Sequence, residues 1–196
     1  MLNQFVDLIR SRRSVPQGRL DKRAAPDHQV VREALESARW APNHRFTEPW
    51  RFYLLDQERI SRLGDLNAER LALRGSNASL VESKRAEWGT SQGVALFTCR
   101  SADGADDLTR REDFAAVCCA AQNFMLHLWS EGIASKWSTA PVWEHQGFWP
   151  LLGHQSGPDG EEPVGIFFYG IATDLPAARR NKALSDVLVD FRQAAG

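Results

Sequence analysis

The chain has 196 residues, a formal net charge of −1 and 43% hydrophobic residues. That size and composition fit a single domain, predicted over residues 1–196, with a sizeable core. The balanced charge provides no basic field for a nucleic-acid partner, no apolar run is long enough to cross a membrane, and the N-terminus does not resemble a signal peptide. A cytoplasmic protein is therefore expected.

The first third of the chain is predicted as two helices and a strand. Apolar residues at helical spacing predict a helix over residues 3–12. A second helix is expected to begin after Asp27, a plausible N-cap, and to stop at Pro42, because a residue before proline is disfavoured in a helix. The aromatic run that begins at Trp50 is typical of a strand.

The next segment is predicted as a polar helix, from "DQERISRLGDLNAERLALRG". Residues 76–93 follow, and their Ser, Glu and Lys content indicates a mobile insertion or lid. "VALFTC" is then a short buried strand, and "RSADGADDLTRRED" a charged loop. The role of residues 75–92 stays open.

A long helix from Phe114 is apolar nearly all round and ends near Gly132. Such a helix lies either at the centre of a domain or in a subunit interface. The strands "IASKWS" and "VGIFFYGIA" follow, separated by a short helix or turn, and residues 176–196 form a basic loop and an amphipathic tail. Three long helices and about four strands in mixed order indicate an α+β fold.

The three cysteines are odd in number, and two of them are adjacent, so they do not form a disulfide framework. No C-x-x-C or H-E-x-x-H spacing occurs, and no metal site is predicted. We expect Cys118 and Cys119, which fall in the apolar helix, to be inert core residues.

The motif "RRS" closes the first predicted helix. Arg12 and Arg13 near a helix C-terminus suit the helix dipole, which is a purely structural role. Two planar guanidinium groups followed by the Ser14 hydroxyl also make an anion clamp suited to phosphate. The motif alone leaves both roles open.

Two further motifs also allow either a structural role or a ligand-binding role. Asn43 and His44 lie in a loop bounded by prolines, either as turn residues or as hydrogen-bonding groups aimed into a pocket. "KWST" ends a strand, and either its tryptophan belongs to the core, or the groups of Trp137, Ser138 and Thr139 touch one edge of a planar ligand.

Taken in order, the blocks "RRS", "APNH", "PWRF", "AAQNFMLHLWSEGI", "KWST" and "GIFFYGIA" resemble the nitroreductase family of flavin enzymes. The resemblance is to its small, minimal members and covers residues 6–175. It implies a mixed or antiparallel sheet flanked by helices, and a homodimer in which both subunits build each FMN site.

The resemblance also implies roles for the motif residues. Arg12, Arg13 and Ser14 would hold FMN, Asn43 and His44 would reach it from the partner subunit, and Trp137, Ser138 and Thr139 would lie beside its ring. Family members often bind the phosphate with a basic residue of the C-terminal loop. Arg180 is the candidate here, in competition with Arg179 and Lys182.

The expected activity is hydride transfer from NADH or NADPH, through FMN, to a nitroaromatic, quinone or related acceptor in a ping-pong cycle. No protein side chain is nominated as a catalytic acid or base. A flavin-binding sensor or storage protein with little turnover is an alternative, and a flavin reductive dehalogenase or dehydrogenase is another. Trp40, where small members often carry a basic residue, and the lack of a flavin-contacting match in residues 67–92 leave the donor and the acceptor open.

Overall fold

The computed structural model describes residues 2–155, 158 and 160–193. In chain order its helices and strands are α1 (Leu2–Ser11), α2 (His28–Ala38), β1 (Trp50–Leu54), α3 (Gln57–Leu73), α4 (Ala78–Gly89), β2 (Val94–Arg100), α5 (Asp107–Ser130), β3 (Ile133–Ser138), α6 (Phe148–Leu151) and β4 (Glu161–Ile171). Short 3-10 turns occupy Gln17–Arg19, His44–Phe46, Pro141–Glu144, Leu184–Asp186 and Phe191–Gln193. None of the helices in these ranges has both the length and the apolar character that crossing a membrane requires.

The four strands form one antiparallel sheet in the order β1-β2-β4-β3. This confirms the predicted α+β class with a sheet flanked by helices. The segment after α1 lies along the outer edge of β3, where Ser14 pairs with Ser135 and the Val15 amide donates to the Ser135 carbonyl at 3.0 Å. The end of the first helix is thereby fixed to the sheet.

Each face of the sheet carries its own hydrophobic cluster. On one face α2 and α5 pack around Phe97, Phe124 and Phe167, whose ring centroids are separated by 4.6 to 5.9 Å. On the other face α3, α4 and α6 pack around Trp88 and Phe168, with ring centroids 4.9 Å apart. Burial of apolar surface on both faces is the main force that stabilises the fold.

The long apolar helix predicted from Phe114 is confirmed as part of α5, but α5 begins earlier, at Asp107. The segment predicted as a charged loop is therefore partly helical. Asp106 caps the helix by accepting the Thr109 amide at 2.7 Å, which satisfies a backbone donor that has no partner within the helix. The first turns of α5 carry no continuous apolar stripe, so hydrophobic periodicity did not reveal them.

The two adjacent cysteines of α5 differ in environment. Cys118 is half-buried, whereas Cys119 is exposed, so the prediction that both belong to the core is wrong for Cys119. Successive residues of a helix point about 100° apart, which is enough to bring one side chain out of a core that covers its neighbour. Cys99 on β2 is buried, and this burial raises the pKa of its thiol to about 12.

Residues 76–93, for which the composition predicts a mobile insertion or lid, contain the helix α4. Asn77 caps α4 by accepting the Leu80 amide at 2.8 Å. The helix packs on α3 where Gly64 meets Gly89, and a Cβ added to Gly64 would lie 2.8 Å from the Gly89 nitrogen. Because this close contact is made by glycines, it leaves no apolar stripe in the sequence.

Gly64→Ala is expected to lower the free energy of unfolding by about 1–3 kcal/mol, because the added methyl group meets the backbone of α4. Urea unfolding followed by tryptophan fluorescence measures the change. Gly18→Ala is the matched control, since nothing lies within 4 Å of a Cβ added at that position. Equal unfolding free energies for the two variants would contradict a close contact between α3 and α4.

Candidate ligand-binding site

A cleft of about 260 Å³ lies where the end of β3 faces α3 and α4. Polar side chains on its wall are those of Gln17, Asn67, Lys84, Lys136, Ser138 and Thr139. Apolar side chains on its wall are those of Leu71, Leu80, Trp88, Ala140 and Pro141. Of the residues predicted from sequence, Ser138 and Thr139 line this cleft directly.

The side chains of β3 point alternately to the two faces of the sheet. Lys136 and Ser138 face the cleft, so Trp137 faces the opposite cluster. There its indole N–H donates to the Val164 carbonyl at 3.1 Å, and its ring centroid lies 5.3 Å from that of Phe167. The Trp137 side chain, predicted to lie beside a bound ring, is thus turned away from the cleft.

Two buried amide side chains on the cleft wall were not predicted. Gln17 is 6% exposed and Asn67 is 3% exposed, and neither side chain makes a hydrogen bond within the described ranges. Neither amide is among the polar atoms that are sealed from solvent without a partner, so both open into the cleft and are available to a ligand. The sequence did contain a sign of Asn67, because it continues the buried stripe of Ile60 and Leu63 at helical spacing.

The end of α1 lies beside the cleft, since Ser14 pairs with Ser135 and the next residue, Lys136, lines the cleft. Arg13 has a structural role there. Its Nη1 donates to the last carbonyl groups of the helix, those of Arg10 at 2.7 Å, Ser11 at 2.7 Å and Arg12 at 3.0 Å. Arg13 therefore caps α1 in the way that its position at a helix C-terminus favours.

Arg12 has no such partner. Its Nη1 is buried and makes no hydrogen bond among the described residues. Burial lowers the pKa of Arg12, and the positive charges of Arg180 and Arg13 lower it further. Three guanidinium groups thus lie near one another, and the buried donor of Arg12 would be satisfied by an anion. The charge of Arg180, predicted from the C-terminal loop, is thus felt at Arg12.

Asn43 and His44 belong to a loop that we call the 43–49 loop, which lies far from the cleft of the same chain. The loop leads into β1 at Trp50. Trp50 lies opposite Cys99 of β2, which lies opposite Glu162 of β4. Ser135 of β3 lies opposite Tyr169, which is seven residues further along β4. Strand spacing then separates Trp50 from Ser135 by roughly 20 Å along the strands and about 14 Å across them. One chain alone does not bring the two motifs together.

Three side chains hold the 43–49 loop in place. They are Asn43, whose Oδ1 accepts the Glu48 amide at 3.1 Å, His44, whose Nδ1 lies 2.8 Å from Glu112 Oε2, and Thr47, whose hydroxyl donates to Asp113 Oδ1 at 2.7 Å. Two of these contacts attach the loop to α5. The polar groups predicted to meet a cofactor are therefore engaged within their own chain.

The backbone of the 43–49 loop is strained. Arg45, Phe46 and Glu48 have φ values of 55°, 54° and 43°. These values lie in the left-handed region, which residues other than glycine rarely adopt. Each such residue costs on the order of 1–3 kcal/mol, and strain of this kind is concentrated at functional sites. The hydrogen bonds to α5 supply the support that such a conformation needs.

Thr47→Val is expected to destabilise the protein by about 1–3 kcal/mol, because it leaves Asp113 with no hydrogen-bond donor. Asp113 is 2% exposed, and its Oδ2 already lacks a partner in the described structure. Thr47→Ser keeps the hydroxyl and should be near neutral. Thermal unfolding compares the variants, and equal losses for Val and Ser would show that the hydroxyl does not hold the loop.

The sequence of this chain is similar to those of known proteins. The family model "Nitroreductase family" matches residues 9–171. The chain is 28% identical over 184 residues to "Putative NAD(P)H nitroreductase YfhC" of Bacillus subtilis (strain 168), a match that covers 92% of this chain and 90% of that protein.

Solved structures share the fold. A "Nitroreductase-like Family Protein" of Bacillus cereus superposes with a TM-score of 0.76 at 24% identity, covering 95% of both chains. A "putative nitroreductase in complex with fmn" of Desulfovibrio desulfuricans gives a TM-score of 0.72 at 18% identity, covering 94% of this chain and 95% of that one. With a family model matched over most of its length, the chain belongs to the nitroreductase family.

Proposed function

We propose that this protein is an FMN-dependent oxidoreductase that uses NADH or NADPH to reduce a nitroaromatic, a quinone or a related acceptor. Family membership supports the class of reaction. The Bacillus subtilis relative is named as an NAD(P)H nitroreductase, and the Desulfovibrio desulfuricans structure is a complex with FMN. The observation on this chain that carries the proposal is the buried Nη1 of Arg12, which has no partner in the part of the chain that the structure describes, beside a cleft lined by the amides of Gln17 and Asn67.

The residues at the end of α1 fit the phosphate of FMN. Arg12 offers a buried donor with no acceptor, and its pKa is lowered by burial and then by Arg180 and Arg13. A phosphate group would supply the missing acceptor and balance the clustered positive charge. Arg12, Ser14 and Arg180 are therefore assigned to the phosphate and ribityl chain, while Arg13 keeps the end of α1 in position.

The cleft fits the edge of a flat heterocyclic ring. The amides of Gln17 and Asn67 both donate and accept hydrogen bonds, as the nitrogen and oxygen atoms of such an edge require. Lys136 carries no ion pair in the described ranges, and its charge would stabilise negative charge on the ring. Leu71 and Trp88 give the cleft an apolar wall that limits access of water.

When bound, FMN supplies the redox chemistry by accepting a hydride and passing two electrons on. For a nitroaromatic the overall change is one NADPH and one proton consumed, with a nitroso product, NADP⁺ and one water formed. The side chains of this chain bind and orient the reactants, and no acid or base among them is assigned a proton-transfer role. Donor and acceptor would use the same cleft in turn, which is a ping-pong order.

We also propose that the working protein is a homodimer. The cleft and the 43–49 loop lie at opposite edges of the sheet, so a site that contains both needs a second copy. Apolar side chains are also left exposed on this chain, a pattern typical of an interaction surface. Large exposed apolar residues include Phe5, Val6 and Ile9 on α1, Trp40 before the loop, and Leu184, Val187, Leu188, Val189 and Phe191 in the C-terminal segment.

The purified protein should bind FMN, and NADPH or NADH added without oxygen should bleach its visible absorption. Persistent flavin bands would support the alternative of a sensor or storage protein, and failure to bind added FMN would contradict the proposal. Reduction of halogenated substrates or enones in preference to nitroaromatics would instead favour a dehalogenase or dehydrogenase.

Arg12→Gln should weaken FMN binding by about tenfold or more, since it removes a charge-assisted hydrogen bond to phosphate. The same change should not lower the thermal stability of the FMN-free protein, because it removes an unpaired buried cation. Arg32→Gln, an exposed change on α2, is the control for both measurements. Lost stability with unchanged FMN affinity would assign Arg12 a structural role.

Sedimentation equilibrium should give a particle of twice the 22.0 kDa chain mass. The reason is that the exposed apolar side chains of α1 and the C-terminal segment become buried when two copies associate. Phe5→Glu, which places a charge on the exposed face of α1, should shift the equilibrium toward monomer. A monomeric parent protein that binds and reduces FMN normally would contradict a shared site.

A further inference from the structure

The 43–49 loop turns two large side chains outward. Asn43, His44 and Thr47 are engaged in the hydrogen bonds that hold the loop, as described above. Arg45 and Phe46, between them, are both exposed, and Phe46 is 89% exposed. Two consecutive residues at φ values of 55° and 54° bend the chain sharply at this point. The loop is therefore built to present Arg45 and Phe46 rather than to bury them.

The positive charge of Arg45 is not neutralised by an ion pair among the described residues. Among the described residues it makes no ion pair and no side-chain hydrogen bond. Its field reaches Asp106, whose pKa is lowered first by the hydrogen bonds from Thr109 and to a smaller extent by Arg45. Asp106 already accepts the Thr109 amide as the cap of α5. Arg45 is thus a free guanidinium group at the tip of a supported loop.

We infer that Arg45 and Phe46 determine acceptor specificity, and that they select aromatic acceptors that carry an anionic group. A guanidinium group binds a carboxylate or sulfonate through two parallel hydrogen bonds, and the Phe46 ring offers a face on which an aromatic acceptor stacks. The inference rests on the proposed function, because the loop meets the cleft only when a second copy supplies it. It adds the substrate class, which neither the fold nor the family determines.

The side chains of Asn43 and His44 then affect the acceptor only through the conformation of the loop. Their hydrogen bonds to Glu48 and Glu112 fix the backbone of the loop, and the fixed backbone aims Arg45 and Phe46. A pair of residues held in advance loses little conformational entropy when the acceptor binds. The strain of the loop is consistent with this role, since a relaxed loop would point the same side chains elsewhere.

The test compares 4-nitrobenzoate with 4-nitrobenzamide, which have the same ring and nitro group and differ in charge. The parent holoenzyme should show a higher kcat/KM for the benzoate. Arg45→Asn removes the charge with a residue that tolerates positive φ, and should lower kcat/KM for the benzoate by about fivefold, the size of a partly screened ion pair. The benzamide value should change less than about twofold, as for a surface substitution.

Three further variants and one change of condition test the inference more closely. Arg45→Glu should reverse the preference between the two acceptors. Phe46→Ala should lower kcat/KM for both acceptors by a similar factor, because stacking does not depend on the charge. Arg32→Gln on α2 should change neither value. In the parent, added salt should reduce the benzoate value and leave the benzamide value unchanged, since salt screens exposed charges.

The outcomes separate this inference from the proposed function. If FMN binds and the flavin bleaches, but Arg45→Asn and Arg45→Glu leave the ratio of the two acceptors unchanged, the inference is wrong and the proposed function stands. If the variants instead raise KM for NADPH and not for NADH, Arg45 recognises the phosphate of the donor, and the acceptor assignment is overturned. If the parent holds FMN but reduces neither acceptor with NADPH or NADH, both proposals are overturned.

Discussion

The register of the antiparallel sheet determines what one copy of this chain is able to build. β4 pairs with β2 on one side and with β3 on the other, and this pairing places the cleft at the β3 edge and the 43–49 loop beyond the β1 edge. Backbone hydrogen bonds across three strand pairs fix that separation, so no side-chain movement removes it. Every proposal that joins the loop to the cleft is therefore a proposal about two copies of the chain.

Most of the fold could be predicted from the sequence because its elements have strong periodic patterns. The apolar run of α5 and the aromatic strands β1 and β4 are of this kind. α4 could not be predicted, since it buries only Trp88 and makes its closest backbone contact with α3 through Gly64 and Gly89, which leaves no apolar stripe. The first turns of α5 were missed for a related reason, because a charged helix start has the composition of a loop.

The candidate site was predicted less completely than the fold. The motif containing Ser138 and Thr139 led to the cleft, and Arg12 has the unpaired guanidinium that an anion clamp requires. Trp137 occupies the same strand, but side-chain alternation turns it into the core. The residue type alone does not indicate which face of the sheet a side chain occupies, whereas its position along the strand does. Asn67 was overlooked because a polar residue on a buried helical stripe is visible only once the stripe is traced.

The 43–49 loop shows how one motif serves two purposes. Asn43 and His44 have side chains typical of ligand contacts, yet their polar atoms stabilise a strained backbone. A sequence motif of this kind indicates that the backbone of the loop is held in one conformation. It does not indicate which side chain of the loop contacts a ligand. In this loop Arg45 and Phe46, whose side chains make no hydrogen bond among the described residues, lie directly between His44 and Thr47, whose side chains do, so a shift of one position changes the chemistry inferred.

The glycine contact between α3 and α4 has a consequence for changing the range of molecules that the cleft accepts. Because the two helix backbones already touch, neither helix is able to move toward the other, and each is packed against the sheet on its inner side. Moving the helices apart for a larger acceptor would break this contact, so the shape of the cleft is changed more easily by exchanging the wall side chains of Leu71, Leu80 or Trp88. An engineer seeking a wider cleft would begin at Leu80, since it is 43% exposed and its truncation opens little of the core.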